Sequence, residues 1–239
     1  MGHWKKILPS FIWDPLNELK RDYIPNFYRS YSGEGEDLIL AKIFDSKKNG
    51  FYIDVGCYHP KIFSNTYQFY KNGWSGINID ANPDSIKKFN RFRRRDINVN
   101  VGISQHTGTL EFFLFDESAV NTFSKELCEQ RKKISWLNYL GSILIPTEPL
   151  SVVLGRERIP AEIDFLDVDV EGFDTDVLAS NDWNRFLPKV VMVEDQDTDA
   201  NTFEELNTFR FLSPKGYKLI AKTFRTLIFS HEDFLKTII

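Results

Sequence analysis

Cysteine is scarce in this chain: Cys57 and Cys128 are too few for a disulfide framework and lack the paired spacing of a zinc site. A reducing, cytoplasmic setting is the default expectation. An excess of positive charge is also missing. The formal net charge of −4 argues against bulk electrostatic binding to nucleic acid and leaves only local basic patches to consider. Residues 1–30 hold no apolar run long enough for a secretory h-region or a membrane span. Lys6 stands where a myristoylation signal has Ser or Thr. The first strand–turn region has no G-x-G-x-x-G, which counts against NAD and FAD as cofactors.

What is present suffices for a packed core: 42% hydrophobic and 15% aromatic residues in a chain of 239. One α/β domain, or one domain carrying an insertion, fits that length. Its centre is Phe51-Tyr52-Ile53-Asp54-Val55-Gly56-Cys57-Tyr58-His59-Pro60, an apolar strand that runs into a carboxylate, turns on a glycine and stops at a proline. In an open parallel sheet such a strand end is where ligands sit. A second strand, 76–79, ends at Asp80, which lies 24 residues after Gly56. That offset is near the one at which an acid meets ribose hydroxyls, and a carboxylate can accept from both hydroxyls of a vicinal diol. The pair of strand ends therefore points to a nucleoside-type cofactor.

Taken in order, residues 1–30 read as a helical extension, with Asp14 as N-cap and Pro15 at the first helical position. It either docks on the domain or makes a peripheral membrane or oligomer contact. Glu34, Glu36 and Asp37 open a helix carrying Leu38, Ile39 and Ile43; with Gly33 and Gly35 they either do no more than start it or also wall a ligand site. A helix beginning near Ser64-Asn65-Thr66 turns Tyr67, Phe69 and Tyr70 inward. Residues 84–95 form another, with Ile86 and Phe89 inward and Lys87, Lys88, Arg91, Arg93, Arg94 and Arg95 mostly outward. Those cations are either a solvated face or an attractor for an acidic substrate. Strands are expected at 97–103 and 109–115, the latter largely buried. Residues 116–160 are the least regular part and suit a lid or substrate-facing insertion. In 163–172 the acids Asp167, Asp169 and Glu171 alternate onto one side of an extended, otherwise apolar backbone. Such acids need a ligand, a metal or a shared proton. A strand at 189–193 ends in Glu194-Asp195, and this oxygen-rich edge suits Mg²⁺, Ca²⁺ or Mn²⁺ better than zinc. Thr202 to Glu205 reads as a capping box for a helix through Leu212. Strands at 217–223 and 226–229 pair as an antiparallel hairpin on a sheet edge.

These stretches resemble the class I S-adenosylmethionine-dependent methyltransferases and, more narrowly, the FkbM family. The resemblance rests on Tyr31-Ser32-x-Glu34-Gly35-Glu36-Asp37-Leu38, Phe51 to Gly56, Ser64-Asn65-Thr66, Gly73-Trp74-x-Gly76-Ile77-Asn78-Ile79-Asp80-Ala81-Asn82-Pro83 and Asp167-Val168-Asp169-Val170-Glu171-Gly172. It covers roughly residues 31–229 and is specific only as a joint match. Asp167 departs from it, being acidic where the family is often basic or small. The resemblance implies a Rossmann-like seven-stranded, mostly parallel sheet with helices on both faces and a C-terminal antiparallel hairpin, filling residues 31–239. It implies S-adenosyl-L-methionine held by Glu34, Asp37, Asp54, Gly56, Asn65, Asp80, Ala81 and Asp167. The ribose would go to Asp80, and the methionine end to backbone N–H groups near Gly56, with its ammonium drawn to Asp54. The implied acceptor is a hydroxyl, often on a sugar of a surface polysaccharide, glycolipid or natural product.

A sulfonium methyl is already activated, so the protein mainly aligns an acceptor for in-line displacement. A sugar hydroxyl is a poor nucleophile at neutral pH and needs a base or a cation. Asp169, Glu171 and His59 are the catalytic candidates, with His59 as readily a packing residue. Asp169, Glu194 and Asp195 are the candidate ligands of a Mg²⁺ or other divalent ion. The rival expectations are a non-catalytic module that keeps the cofactor fold and a nicotinamide-dependent oxidoreductase. Neither the acceptor nor the oligomeric state can be read from the residues.

Overall fold

The computed structural model describes residues 29–45, 47–195 and 203–238. The expected helix start at Asp14 and Pro15, with residues 1–28 of the extension, and Thr202 of the expected capping box lie outside the described residues. Helix α1 (Glu36–Ile43) leads into β1 (Phe51–Val55), α2 (Tyr67–Lys71) into β2 (Ser75–Asp80), and α3 (Pro83–Phe92) into β3 (Ile97–Asn100). The short β4 (Gly102–Ile103), β5 (Gly108–Phe115), α4 (Lys125–Arg131) and β6 (Tyr139–Glu148) follow. The chain then runs through α5 (Leu150–Arg156), β7 (Ile163–Val168), α6 (Asp174–Ala179), β8 (Pro188–Glu194), α7 (Asn207–Leu212), β9 (Tyr217–Lys222), β10 (Thr226–His231) and α8 (Glu232–Ile238).

Seven strands form the main sheet in the order β3-β2-β1-β7-β8-β10-β9. All neighbours are parallel except β10, which runs antiparallel to both β8 and β9. This is the Rossmann-like sheet with its antiparallel C-terminal pair. β1 is buried along its whole length, as expected for a strand covered on both faces. The alternation of side chains sorts the core into two layers. Ile53, Val55, Val191 and Val193 face α5, α6 and α7 through Leu150, Val177 and Leu212. Tyr52, Val190 and Met192 join Phe165 and Ile228 on the other side, against Leu40, Phe44, Phe69 and Trp74. Asp54 and Asp167 are partners in register across β1 and β7, so both carboxylates lie on one face of the sheet, close to its carboxyl edge. Strand order reverses between β1 and β7, and ligands of such sheets bind in the crevice outside that point.

Several sequence expectations need correction. The strand expected over 97–103 is two: β3 belongs to the main sheet, while β4 leaves it for a three-stranded sheet ordered β4-β6-β5. β5 is not largely buried, since Gly108, Thr109 and Glu111 face solvent. Helix α3 starts one residue early on Pro83, where the Asn82 side chain accepts from Asp84 N at 3.0 Å, and ends at Phe92. Arg93, expected outward, is completely buried. The acids of 167–171 do not share one side of an extended strand, because β7 ends at Val168 and Glu171 turns the chain with φ 56°. Among the described residues no helix is long and apolar enough to cross a membrane.

Candidate functional site

At the carboxyl edge β1, β2 and β7 are stitched together by backbone. Gly56 N donates to Ile79 O at 2.9 Å and Asp169 N donates to Val55 O at 3.0 Å. Gly56 has φ 88°, and a Cβ there would stand 1.7 Å from the Asp169 carbonyl oxygen, so only glycine fits. Around this junction opens a cleft of about 330 Å³. It adjoins a smaller, more apolar slot between the ends of β1, β2 and β4, lined by Ile79, Asp80, Ala81, Val101, Ile103 and Phe112.

Asp80 closes the slot. Its two oxygens accept from Asn82 N at 2.6 Å and Tyr58 N at 2.9 Å. Burial pushes its carboxyl up to about 6 against these two hydrogen bonds. Tyr58 N, Gly56 N and Cys57 N all donate within the protein, the latter two to Ile79 O, so the amides expected to hold the methionine end are already engaged.

Asp54 and Asp167 lie side by side in the cleft wall. Thr66 Oγ1 donates to Asp54 at 2.7 Å and Asn65 Nδ2 to Asp167 at 2.9 Å. Burial raises Asp54 to about 6, with Thr66 and Arg93 pulling it back. Asp167 is pushed well above the usual carboxylate range by burial and then by the Asp54 charge. Two facing acids of this kind favour a bound cation or a shared proton.

Glu34 and Glu36 also line the cleft. Glu34 accepts from Arg225 N at 3.0 Å and Nε at 3.1 Å, and Glu36 accepts from Thr226 Oγ1 at 3.2 Å. Asp37 lies beneath them rather than in the cleft wall. It accepts from Ser30 Oγ at 2.7 Å, Tyr31 N at 2.7 Å and Ser32 Oγ at 2.9 Å, which folds the loop ahead of α1.

Opposite stand the ends of β7 and β8. The carboxylates of Asp169, Glu171 and Glu194 offer oxygens within 4.8 Å of one another. Asp169 is exposed to solvent and lines both the cleft and the slot; the protein packed around its carboxyl, then Glu194 and Glu171, push it well above the carboxylate range. Glu171 is ion-paired with Arg131, and Glu194 lies 3.7 Å from Arg225 Nη1. Asp174 holds the turn below by accepting from Val170 N at 3.1 Å and Gly172 N at 3.0 Å, and burial raises it to about 7. Asp195 points elsewhere. It accepts from Thr208 Oγ1 at 2.8 Å and borders a polar groove of about 580 Å³ that shares Glu194 with the cleft.

His59 lies outside the cleft wall, which runs from Tyr58 to Phe63 without it. Its Nδ1 accepts from Lys61 N at 3.2 Å and Ile62 N at 3.1 Å, capping the loop. Burial, with Lys88 and Lys61 nearby, lowers its pKa.

The sequence profile of the Methyltransferase FkbM domain matches residues 54–219, and the chain belongs to this family. No curated protein sequence matches it. Among solved structures it is similar to a methyltransferase FkbM from Methylobacillus flagellatus KT, at 14% identity and TM-score 0.46, covering 77% of this chain; this chain spans 44% of that one. It is also similar to a methyltransferase from Geobacter sulfurreducens, at 13% identity and TM-score 0.45, covering 96% of this chain and 93% of that one. A TehB-like SAM-dependent methyltransferase from Corynebacterium glutamicum is similar at 11% identity and TM-score 0.41, covering 93% and 97%.

Asp174, Arg131 and Arg225 have no place in the sequence expectations, and Arg93 was expected on the solvent face. Asp174 left a signal as an acid heading a helix just after the Gly172 turn, and Arg131 and Arg225 left none. Arg93 falls on the stripe of Ile86 and Phe89, the buried face of α3, but stands in a run of arginines that reads as surface. Its guanidinium donates to Pro60 O at 2.8 Å, Tyr52 Oη at 2.9 Å, Ser64 Oγ at 3.0 Å and Thr66 Oγ1 at 3.2 Å. Asp96 lies 3.6 Å away and is tied to Tyr52 Oη, Asn78 Nδ2 and Gly76 N. One side chain thus holds the loop 57–66 against the sheet and, through Thr66, orients Asp54. Arg93→Met should lower the unfolding free energy in urea by about 3–5 kcal/mol, the usual cost of leaving one half of a buried ion pair uncompensated.

Proposed function

We propose that this FkbM-family methyltransferase binds S-adenosyl-L-methionine across the ends of β1 and β2 and methylates a hydroxyl oxygen of a sugar, in a polysaccharide, glycolipid or natural product. The observation that carries the proposal is the charge of the cleft. Eight carboxylates line it (Glu34, Glu36, Asp54, Glu117, Asp167, Asp169, Glu171 and Glu194) against one guanidinium, that of Arg225, among the described residues. A donor bearing both an ammonium and a sulfonium fits that field, and a nicotinamide dinucleotide with its paired phosphates does not.

The residues divide the work by position. The slot takes the adenine between apolar side chains, with Ala81 leaving room, and Asp80, held by two amides, accepts from the ribose diol. Asp54 and Asp167 face the amino-acid end, where an ammonium relieves their mutual repulsion. Asn65 and Thr66 fix those carboxylates, and Gly56 lets the chain pass beneath. The bound donor supplies an electrophilic methyl group; alignment and removal of the acceptor's proton are left to the chain.

Asp169 is the base. Burial and its two acidic neighbours shift it from a weak base toward one able to take a hydroxyl proton near neutral pH. Glu171 and Glu194, held by Arg131 and Arg225, orient the acceptor. The polar groove beyond Glu194, bordered by Glu126, Gln130, Thr175, Asp195 and Thr208, suits a polyhydroxylated acceptor. Residues 116–160 supply Glu117, Ala119 and Val120 to the cleft and Ser124 to the groove, as a substrate-facing insertion would. His59, with Nδ1 committed to the loop, is assigned no step. A divalent ion fits the donor set poorly, because two of the three clustered carboxylates already have guanidinium partners. No step is routed through one.

Three measurements test this. In calorimetric titration, Asp80→Ala should weaken donor binding at least tenfold. Wild-type affinity should rise from pH 5 to 7 as Asp54 and Asp80, each raised to about 6, lose their protons and become better acceptors. Unchanged affinity in Asp80→Ala would remove that residue from the ribose site. Asp169→Asn should bind the donor within a few-fold of wild type, yet lose about 10²–10⁴ in kcat. With it should go the rise of kcat with pH that titration of the free carboxylate produces; a variant that keeps its turnover shows that Asp169 is not the base. Turnover should persist in EDTA, whereas loss reversed by Mg²⁺ would assign the Asp169, Glu171 and Glu194 cluster to a cation.

A further inference from the structure

Loop 57–66 carries at its tip a surface that has no part in the donor and acceptor contacts assigned above. Ile62 is 56% and Phe63 65% exposed, consecutive apolar side chains at the tip of the loop. Phe63 has φ 50°, a conformation that bulky residues rarely adopt and that persists only where its surroundings enforce it. The enforcement is visible at the base of the tip, where His59 Nδ1 accepts from Lys61 N and Ile62 N, and Arg93 Nε holds Pro60 O. The two apolar side chains are therefore presented, not loosely exposed.

Cations ring them. Lys61 Nζ lies 4.3 Å from the centroid of the Phe92 ring and Arg91 Cζ 5.2 Å from it, and Phe92 is itself 40% exposed. Within residues 59–63 and 83–94 the exposed charges are Lys61, Lys87, Lys88, Arg91 and Arg94 against a single acid, Asp84, which is ion-paired with Lys87 at 2.7 Å. A basic surface of this kind stands out in a chain of net charge −4. Phe63 also lines the cleft, so the patch adjoins its mouth.

We propose that this surface docks on an anionic lipid bilayer, with Ile62 and Phe63 entering the interface and the surrounding lysines and arginines meeting acidic headgroups. Apolar tips flanked by basic side chains are what interfacial binding requires. An adjacent aliphatic side chain favours lipid over nucleic acid, because isoleucine offers no ring for a base to stack on. On the premise of the methyl-transfer proposal above, docking would bring the cleft to a lipid-carried sugar acceptor; the docking itself does not depend on that premise.

Flotation of the full chain with vesicles tests it. The chain should float with vesicles of phosphatidylglycerol and phosphatidylcholine, not with phosphatidylcholine alone, and high salt should release it. The double variant Lys61→Glu, Arg91→Glu should lose at least tenfold in vesicle affinity, each basic residue being worth about fivefold. Ile62→Ser should lose severalfold. Donor binding by calorimetry should stay unchanged in both variants, which separates a failed patch from a failed cofactor site. Wild type and the double variant floating alike would overturn the proposal. So would binding to single-stranded RNA in place of vesicles.

Discussion

The site depends on how closely the ends of β1 and β7 approach. The Asp169 carbonyl occupies the space that any side chain at position 56 would need, and Asp169 N closes the junction on Val55 O. With that contact made, Asp54 and Asp167 face each other across the strand pair, and Asp169 emerges beyond them. Any residue other than glycine at 56 would push β7 away and separate Asp54 from Asp167 and Asp169. Backbone sterics, more than any side-chain bond, set the spacing of the cleft.

Crowding so many acids around one cleft is unfavourable unless charge is compensated, and three arginines share that task from different elements. Arg93 works from beneath, through Thr66 and the Tyr52–Asp96 network. Arg131 comes from α4 and Arg225 from the turn before β10. Arg131 and Arg225 stand beside carboxylates, Glu171 and Glu194, whereas Asp54 and Asp167 accept from the neutral donors Thr66 and Asn65. Among the described residues no ion pair neutralises Asp54 or Asp167, whose carboxylates are held by neutral donors alone.

The sheet was legible in the sequence because buried parallel strands leave a strong mark: an apolar run, then an acid, then a turn. Phe51 to Gly56 and the strand ending at Asp80 carry it, and the structure places both strands where the pattern did. The end of β7 was legible in composition but not in geometry. Glu171 at positive φ breaks the alternation that Asp167, Asp169 and Glu171 suggest, and no residue type announces that break. Glu194 and Asp195 were equivalent by sequence, and the pleat of β8 sends only the first into the carboxylate cluster. Arg93 was hidden for the opposite reason. Four arginines at the end of a helix, Arg91 and Arg93 to Arg95, have a bland explanation, and only tertiary packing shows which of them turns inward.

The sheet order also bears on how the cleft comes into being during synthesis. β1, β2 and β3 are neighbours in sequence and in space and can pair as soon as they leave the ribosome. β1 has to wait for its other neighbour: Phe51 N donates to the Asp164 side chain across 113 residues of chain. Contacts of such separation form late, because closing the intervening loop has an entropic cost that only the finished contact offsets. The part of the cleft built on β1 and β2 can therefore exist on a nascent chain before Asp169 and Glu194 arrive. Until they do, Asp54 lies at an open sheet edge, and one wall of the cleft stands without the carboxylates that complete it.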